Sequence, residues 1–327
     1  MYNPYSLHNK HVLLTGASSG IGRAISIECS KMGAELLLTG RDENRLYETL
    51  SKLDNPSAHK MVLADLSDEA AILHVIETVE DPLDGIVLCA GITKPKPFSF
   101  ITSEDISEVM SVNFNAPVIL TKELLRKKKL NKAASVVFIS SISGVVISSV
   151  GGSLYSASKG AINGIAKALA IELASKKIRV NCVNPGMIDT DIYHDGSITH
   201  EQLEEDAKRY PLGRYGKPEE VAHAVIYLLS DASSWVTGSN LLIDGGYIVK
   251  MEKAYIKEIA YYLPDCVVTN EDIVHDFPEW SVEKIASKVG VNQRHVAASD
   301  ETAVDLAIAA AEKLFGNSNV DRQNVDY

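Results

Sequence analysis

What most constrains this chain is an alternation. Short continuous apolar runs, rich in leucine and β-branched residues, recur between longer stretches with helical periodicity. The runs are HVLLTG (11–16), AELLLTG (34–40), HKMVLADL (59–66), DGIVLCAG (84–91), ASVVFISS (134–141), IRVNCVNPG (178–186) and SNLLIDGG (239–246). A strand that is apolar at every position is buried on both faces, as happens where helices cover both sides of a parallel sheet. The pattern predicts a doubly wound α/β domain whose sheet has seven strands within residues 1–250.

The alternation ends there. A length of 327 residues would suggest two comparable domains. Instead, after IDGGYIVK (243–250), a new segment opens at Met251 with MEKAYIKEIAYYLPD and no glycine- or serine-rich linker. Residues 251–327 hold fourteen acidic and seven basic side chains, a net of −7 within −11 for the chain. The expected organisation is a domain over 1–250 and a separate segment over 251–327. Net acidity argues against nucleic acid as the main partner. Cys29, Cys89, Cys182 and Cys266 are far apart, which predicts reduced thiols and no metal site. The start is polar, and no apolar run approaches the ~20 residues that span a bilayer. A soluble cytoplasmic protein is expected.

TGASSGIG (15–22) follows the first run and opens a helical pattern. Gly16 lets the strand turn, Gly20 lets backbone approach a phosphate, and Gly22 lets the helix pack on the sheet. Ser18, Ser19 and Ile21 complete the loop. A tight turn alone would explain the glycines, but between a first strand and a helix they point to a dinucleotide. The second run ends LLLTGRD, with Gly40 where a carboxylate would meet a ribose 2′-hydroxyl, and Arg41 next. A guanidinium suits a 2′-phosphate, so NADPH/NADP+ is expected over NADH. The alternative is a solvated Arg41, with Asp42 approaching the ribose.

YSASK (155–159) lies in a helical run, which puts Tyr155 and Lys159 on one face. A free phenol, with a pKa of ~10, is a poor acid–base group at neutral pH, and a neighbouring ammonium and a positive nicotinamide ring would lower it. The preceding strand, VVFISSISG (136–144), carries serines to the sheet's carboxyl edge, where ligands bind. Ser141 is the best candidate to hold a substrate carbonyl. Ser140 and Ser143 compete, their plainer role being hydrogen bonds within the turn.

Together with NPGMIDTD (184–191) and GRYGKPEEVA followed by VTGSNLLIDGGY, these motifs resemble the short-chain dehydrogenase/reductase family over residues 7–247. The likeness is greatest to its 3-oxoacyl-[acyl-carrier-protein] reductases. It implies a Rossmann-like fold and NADPH-dependent reduction of a 3-oxoacyl thioester in fatty-acid or related acyl-chain biosynthesis. It also implies Tyr155 as proton donor and Ser141 as carbonyl orienter. Lys159 would hold the nicotinamide ribose and depress the tyrosine pKa, and Asn113, in VNFNAP, would hold a water in the proton relay. Asp65 and Leu66 would lie against the adenine, and Ala90 and Gly91 against the cofactor. Pro185, Gly186, Ile188 and Thr190 would form the nicotinamide-side loop. Read alone, Asp65 is a turn or helix cap and the last four are a strand-ending turn. A homotetramer and an acyl-carrier-protein-bound substrate are implied as well. One departure stands out: LCAG (88–91) replaces the family's Asn-Asn-Ala-Gly. It predicts weaker hydrogen bonding between strands there, with Cys89 a buried small apolar residue.

Residues 191–216 are polar and poorly periodic, as in a lid over a substrate. Within them His194, His200, Glu201, Glu204, Glu205 and Asp206 read as a solvated helix face rather than ligands. Basic side chains at 126–129, and Lys176, Lys177 and Arg179, read first as complements to helix C-termini. Their second reading is a patch that steers an acidic carrier protein. In the tail, YLPD, VVTNEDI, the G-V-x-x-R-H turn from Gly290 to His295 and DETAVDLA resemble the first portion of 3-oxoacyl-[acyl-carrier-protein] synthase III, a thiolase-like enzyme. That family's nucleophilic cysteine, histidine and asparagine lie beyond the matching part, and Cys266 is no match for the nucleophile. A non-catalytic, incomplete thiolase-like fragment with an exposed core face is expected. It reads as part of a neighbouring coding region starting at Met251, or as part of a truncated bifunctional protein. Two rival functions remain at this point. One is a polyol, sugar or steroid alcohol dehydrogenase; the other is a non-catalytic NADP(H)-sensing interaction protein.

Overall fold

The computed structural model describes residues 2–190, 200–250 and 258–317. The chain divides into two compact units, Met1–Met251 and Glu252–Tyr327. In the first unit the order is β1 (His11–Thr15), α1 (Gly20–Lys31), β2 (Glu35–Gly40), α2 (Glu43–Ser51), β3 (Lys60–Leu63), α3 (Glu69–Glu77) and β4 (Leu83–Leu88). There follow α4 (Ser103–Met110), a π-helical turn (Ser111–Asn115), α5 (Ala116–Arg126), β5 (Leu130–Ile139), α6 (Ser153–Glu172) and β6 (Arg179–Pro185). The unit ends with α7 (His200–Ala207), α8 (Pro218–Leu229), β7 (Asn240–Ile243) and α9 (Tyr247–Lys250).

The seven predicted strands form one sheet in the order β3-β2-β1-β4-β5-β6-β7, every neighbouring pair parallel. Successive side chains point to opposite faces, which is why each run had to be apolar throughout. Val136 and Phe138 of β5 join the core under α3, α5 and α6. Val137 and Ile139 of the same strand join the core under α1 and α8. The strand order reverses between β1 and β4, and the loops that leave those two strands open a crevice there.

Local sequence sets the helix that borders this crevice. Thr102 and Asp105 form a capping box that starts α4. The widened turn at Ser111–Asn115 then precedes Pro117, which lacks the N–H that a regular helix interior would use. In the second unit, β8 (Val267–Thr269) pairs antiparallel with β9 (Gln293–His295), accompanied by α10 (Asn270–Asp276), α11 (Val282–Val289) and α12 (Ala303–Asn317). Among its described residues only Pro264, Asn270 and Ile285 are buried.

Candidate functional site

Gly16, at φ +71°, turns the chain out of β1, and a Cβ there would stand 2.8 Å from the backbone of Ala90. A Cβ on Gly22 would stand 2.1 Å from the Gly16 carbonyl oxygen. This corrects the sequence reading: Gly22 is required because the helix closes on its own loop, not because it packs on the sheet. Ser19 stands at the N-cap of α1 without capping it, so the first N–H groups of the helix receive no side-chain acceptor. Such N–H groups can receive an anion, and the half-buried Ser18 and Ile21 lie in the same loop. Thr190 approaches from beyond β6, its Cγ2 3.3 Å from where a Cβ of Gly20 would be.

Arg23 braces this loop, and the sequence reading missed it. Its Nη2 donates to the Ser18 carbonyl at 2.8 Å and to Glu48 at 2.9 Å, and its Nε donates to Thr49 Oγ1 at 3.1 Å. Thr49 in turn donates to the Ala17 carbonyl at 3.0 Å. The one available signal was a cation in the first turn of a helix, where the dipole disfavours it.

Beyond β2, Asp42 caps α2 by accepting from Arg45 N at 3.0 Å, which commits the carboxylate that could have met a ribose. Arg41 next to it is exposed. Asp65 accepts from the backbone and hydroxyl of Ser67 at 2.9 and 2.8 Å, so its side chain shapes a turn. Those bonds, with Arg41 nearby, hold its carboxyl below the usual range. Leu66, Ala90 and Thr15 line a small apolar recess beside the crevice. At LCAG the backbone is tied to β1. Thr15 Oγ1 accepts from Cys89 N at 3.0 Å and Ala90 N at 3.1 Å, which ties β1 to the end of β4 through a hydroxyl. Cys89 is half-buried, and its surroundings push its thiol up to about 12.

Tyr155 and Lys159 share one face of α6, with Lys159 Nζ 5.6 Å from the centre of the phenol ring. The Ser141 hydroxyl is near enough to the Tyr155 phenol to lower its pKa, and it accepts from the Ser143 backbone at 3.1 Å. Ser140 belongs to the scaffold: it is buried, donates to the Lys159 carbonyl at 3.1 Å and accepts from Asn163 at 2.5 Å. Asn184 donates to Asn163 at 3.3 Å, extending a buried network that sequence reasoning did not find. Asn113, on the π-helical turn, clamps Ile92 by accepting from its N at 2.8 Å and donating to its carbonyl at 2.9 Å. Asn113 also donates to Ser158 Oγ at 3.0 Å, which donates to the Tyr155 carbonyl at 2.8 Å. A Cβ on Gly91 would stand 3.4 Å from both Asn113 Oδ1 and Lys159 Nζ. Asn113 and Lys159 therefore meet at Gly91, and Lys159 and Ser141 in turn lie near the Tyr155 phenol.

Their electrostatics differ from expectation. Burial raises the Tyr155 phenol above its ordinary value, and the bond from Ser141 only opposes this. Lys159 donates to the Ile139 carbonyl at 2.8 Å, and burial lowers its own pKa to about 8. Within the protein alone, burial sets the direction of the tyrosine's shift.

Pro185 and Gly186 are held by backbone bonds from Ile142 at 3.0 Å and to Ile243 at 2.9 Å, and Ile188 is buried beside Gly216. Part of the expected lid is a helix, α7, on which Glu201, Glu204 and Glu205 are exposed. Asp206 accepts from Tyr215 at 2.9 Å and from Arg209 at 2.9 Å. His194 lies outside the described residues, and nothing is said of the His200 side chain. The basic groups at 126–129 and 176–179 precede β5 and β6, at the amino edge opposite the site. Arg126 pairs with Glu123, Lys129 donates to the Val79 carbonyl at 2.6 Å, and buried Arg179 donates to the Leu228 carbonyl at 2.6 Å. Within one chain they offer no carrier-docking patch beside the site.

The family described as Enoyl-(Acyl carrier protein) reductase matches residues 16–248. A 3-oxoacyl-[acyl-carrier-protein] reductase of Rickettsia bellii is 34% identical over 244 residues, covering 74% of this chain and 98% of the relative. This chain belongs to the short-chain dehydrogenase/reductase family. As a member, it is an oxidoreductase that uses a nicotinamide cofactor. A tropinone reductase homolog of Arabidopsis thaliana is 38% identical, covering 74% of this chain and 76% of that protein. The solved structure of a Beutenbergia cavernae protein, described as an NAD(P) dependent gluconate 5-dehydrogenase with bound NADP at low occupancy, is similar with a TM-score of 0.68 and 30% identity. That comparison covers 76% of this chain and all of the other.

Proposed function

We propose that this short-chain reductase uses NADPH to reduce the keto group of a 3-oxoacyl thioester, carried on acyl carrier protein, to the 3-hydroxyacyl form. The observation that carries the reading is that Asn113 and Lys159 meet at Gly91, with the Tyr155 phenol beside Lys159 and Ser141 beside the phenol. The residues fit the cofactor. The uncapped start of α1, with Gly16, Ser18, Ser19, Gly20, Ile21 and Gly22, would hold the pyrophosphate, and Arg41 the 2′-phosphate. Asp65, Leu66, Ala90 and Gly91 would lie along the adenosine and its ribose, and Pro185, Gly186, Ile188 and Thr190 along the nicotinamide side. When bound, NADPH supplies the hydride.

The side chains supply the rest. Ser141 and Tyr155 present two hydroxyls to one carbonyl oxygen, which becomes an alkoxide-like centre as the keto carbon is reduced. Tyr155 gives that oxygen its proton, so one hydride and one proton convert C=O to CH–OH. The raised phenol pKa keeps Tyr155 protonated at neutral pH, the form that can donate to a carbonyl oxygen. Lys159, with a pKa near 8, is poised to return the proton. The acyl-carrier substrate rests on the relative's name and on its coverage over 98% of that protein. The tail is assigned no catalytic part.

The test is NADPH consumption with acetoacetyl and longer 3-oxoacyl thioesters, set beside gluconate, glucose and steroid alcohols with NADP+. Thioester reduction should dominate, and Tyr155→Phe should abolish it while NADPH still binds. Turnover retained by Tyr155→Phe would overturn the mechanism. Faster turnover of a sugar acid would assign the site to the substrate class named for the Beutenbergia protein instead.

A further inference from the structure

Asp105 is a carboxylate on α4 that no part of the proposed chemistry uses, yet its side chain is only 6% exposed. It is held from three directions. Lys96 Nζ lies 2.6 Å from one oxygen and Lys94 Nζ 3.5 Å from the other, while Thr102 N donates to it at 3.1 Å. Lys94 also pairs with Glu108 one turn further along α4. A buried ion is tolerated when it is paired and hydrogen-bonded in this way. The capping bond to Thr102 accounts for one oxygen, but a cap needs no lysines.

Both lysines belong to 92–97, a segment without regular structure of its own. The other end of that segment is Ile92, which Asn113 grips with two hydrogen bonds. Asp105 and Asn113 lie on one continuous helical run, α4 and its π-helical turn. Eight residues of helix rise by ~12 Å at ~1.5 Å each. The four extended steps from Ile92 to Lys96 span ~13 Å at ~3.3 Å each. The two lengths match, so the segment lies antiparallel along the helix, fastened at one end by Asn113 and at the other by Asp105.

The Asp105 end reaches further. The backbone N–H of Lys96 donates to the Gly151 carbonyl at 3.1 Å. Gly151 stands just before α6, and Tyr155 is in the first turn of that helix. We infer that Asp105 is a positioning residue: through Lys96 it fixes the loop that leads into α6, and so sets where the Tyr155 phenol stands relative to Asn113 and the substrate carbonyl. The inference rests on the proposed reductase reading for its effect on turnover, but not for the mechanical link itself. Its low carboxyl pKa, about 2 with the Lys96 bond as the main cause, keeps the strap charged across the working range.

The test uses the full chain, with Asp105→Asn and Lys96→Met made singly and together. Amide hydrogen exchange comes first, because it does not depend on knowing the substrate. Either change should speed exchange in 92–97 and 144–155 while leaving β1 and α1 as they were. On whichever carbonyl substrate the unaltered protein reduces, each variant should lose about tenfold in kcat, as a small misplacement of a reacting group does. NADPH affinity should stay within about twofold, and the double variant should be no worse than the worse single, as expected of residues in one pathway. Lys96→Met keeps the capping box and guards against simple misfolding of α4. Unchanged exchange in 144–155 overturns the link, as does an additive double variant, and a lower Tm with kcat intact reduces Asp105 to a stabilising residue. Failure of the unaltered protein to reduce any carbonyl would count against the reductase reading alone, with the exchange result still deciding the link.

Discussion

Lys159 is 5% exposed, and the groups acting on it include no carboxylate. An unfolded lysine keeps its proton to about 10.5, whereas the folded one releases it near 8. Between those values the unfolded state binds more protons, so this residue makes stability rise with pH across that window. Below pH 8 the full penalty of burying the charge applies, on the order of 3 kcal/mol before any relaxation. Lys159→Met should therefore raise stability at pH 7 by about 1–2 kcal/mol, after allowance for the lost bond to Ile139. The gain should shrink as the pH climbs toward 10.5, and turnover should be abolished. Denaturant unfolding of both proteins at several pH values checks this. A variant less stable at every pH would mean that the bond to Ile139 outweighs the buried charge. A lysine kept buried with no carboxylate acting on it is what a functional residue looks like in energetic terms.

Among the elements, the β2–α2 junction is where the proposed preference for NADPH would arise. Asp42 spends its carboxylate on capping α2, and Arg41 is left exposed beside it. A bidentate guanidinium–phosphate contact contributes roughly 1.5–3 kcal/mol. Arg41→Gln should thus weaken NADPH binding by about 10- to 100-fold and leave NADH nearly unchanged, which fluorescence titration of both cofactors would show. Equal losses for the two would remove Arg41 from the phosphate site. This junction also shows which parts of the site were legible. The seven strands, the glycine loop and the Tyr155–Lys159 face could be read because apolar runs and i, i+4 spacing are local. Arg23 with Glu48, Ser140 with Asn163, and Asp105 with Lys96 could not, since each bond joins separate elements. The basic clusters fit the first of their two readings, since they sit at the helix ends that lead into β5 and β6 and therefore at the amino edge.

At the scale of the whole chain, the two units differ in how they are held together. The first has an apolar core on each face of its sheet, and all seven strands of that sheet end before residue 244. In the second, Ile259, Tyr261, Leu263, Val289, Val304 and Ile308 are exposed, and Ile285 is the one buried large apolar side chain among its described residues. The hydrophobic effect contributes only ~25 cal/mol per Å2 buried, while ordering each residue costs about 1.5 kcal/mol. A unit this small that buries so little cannot offset that entropy by its own packing. The seam at Met251 could be read from the end of the strand pattern and from the tail's charge of −7. The thiolase-like expectation has no such support, for the described tail carries only a two-stranded sheet. A chain ending at Lys250 should therefore keep kcat and KM within about twofold, and keep the main calorimetric transition. Residues 251–327 alone should show no cooperative unfolding, only a gradual loss of helical signal on heating. A sharp transition in the isolated tail, or a reductase domain that loses activity without it, would show that the tail has a core or a docking role that its exposed side chains do not reveal.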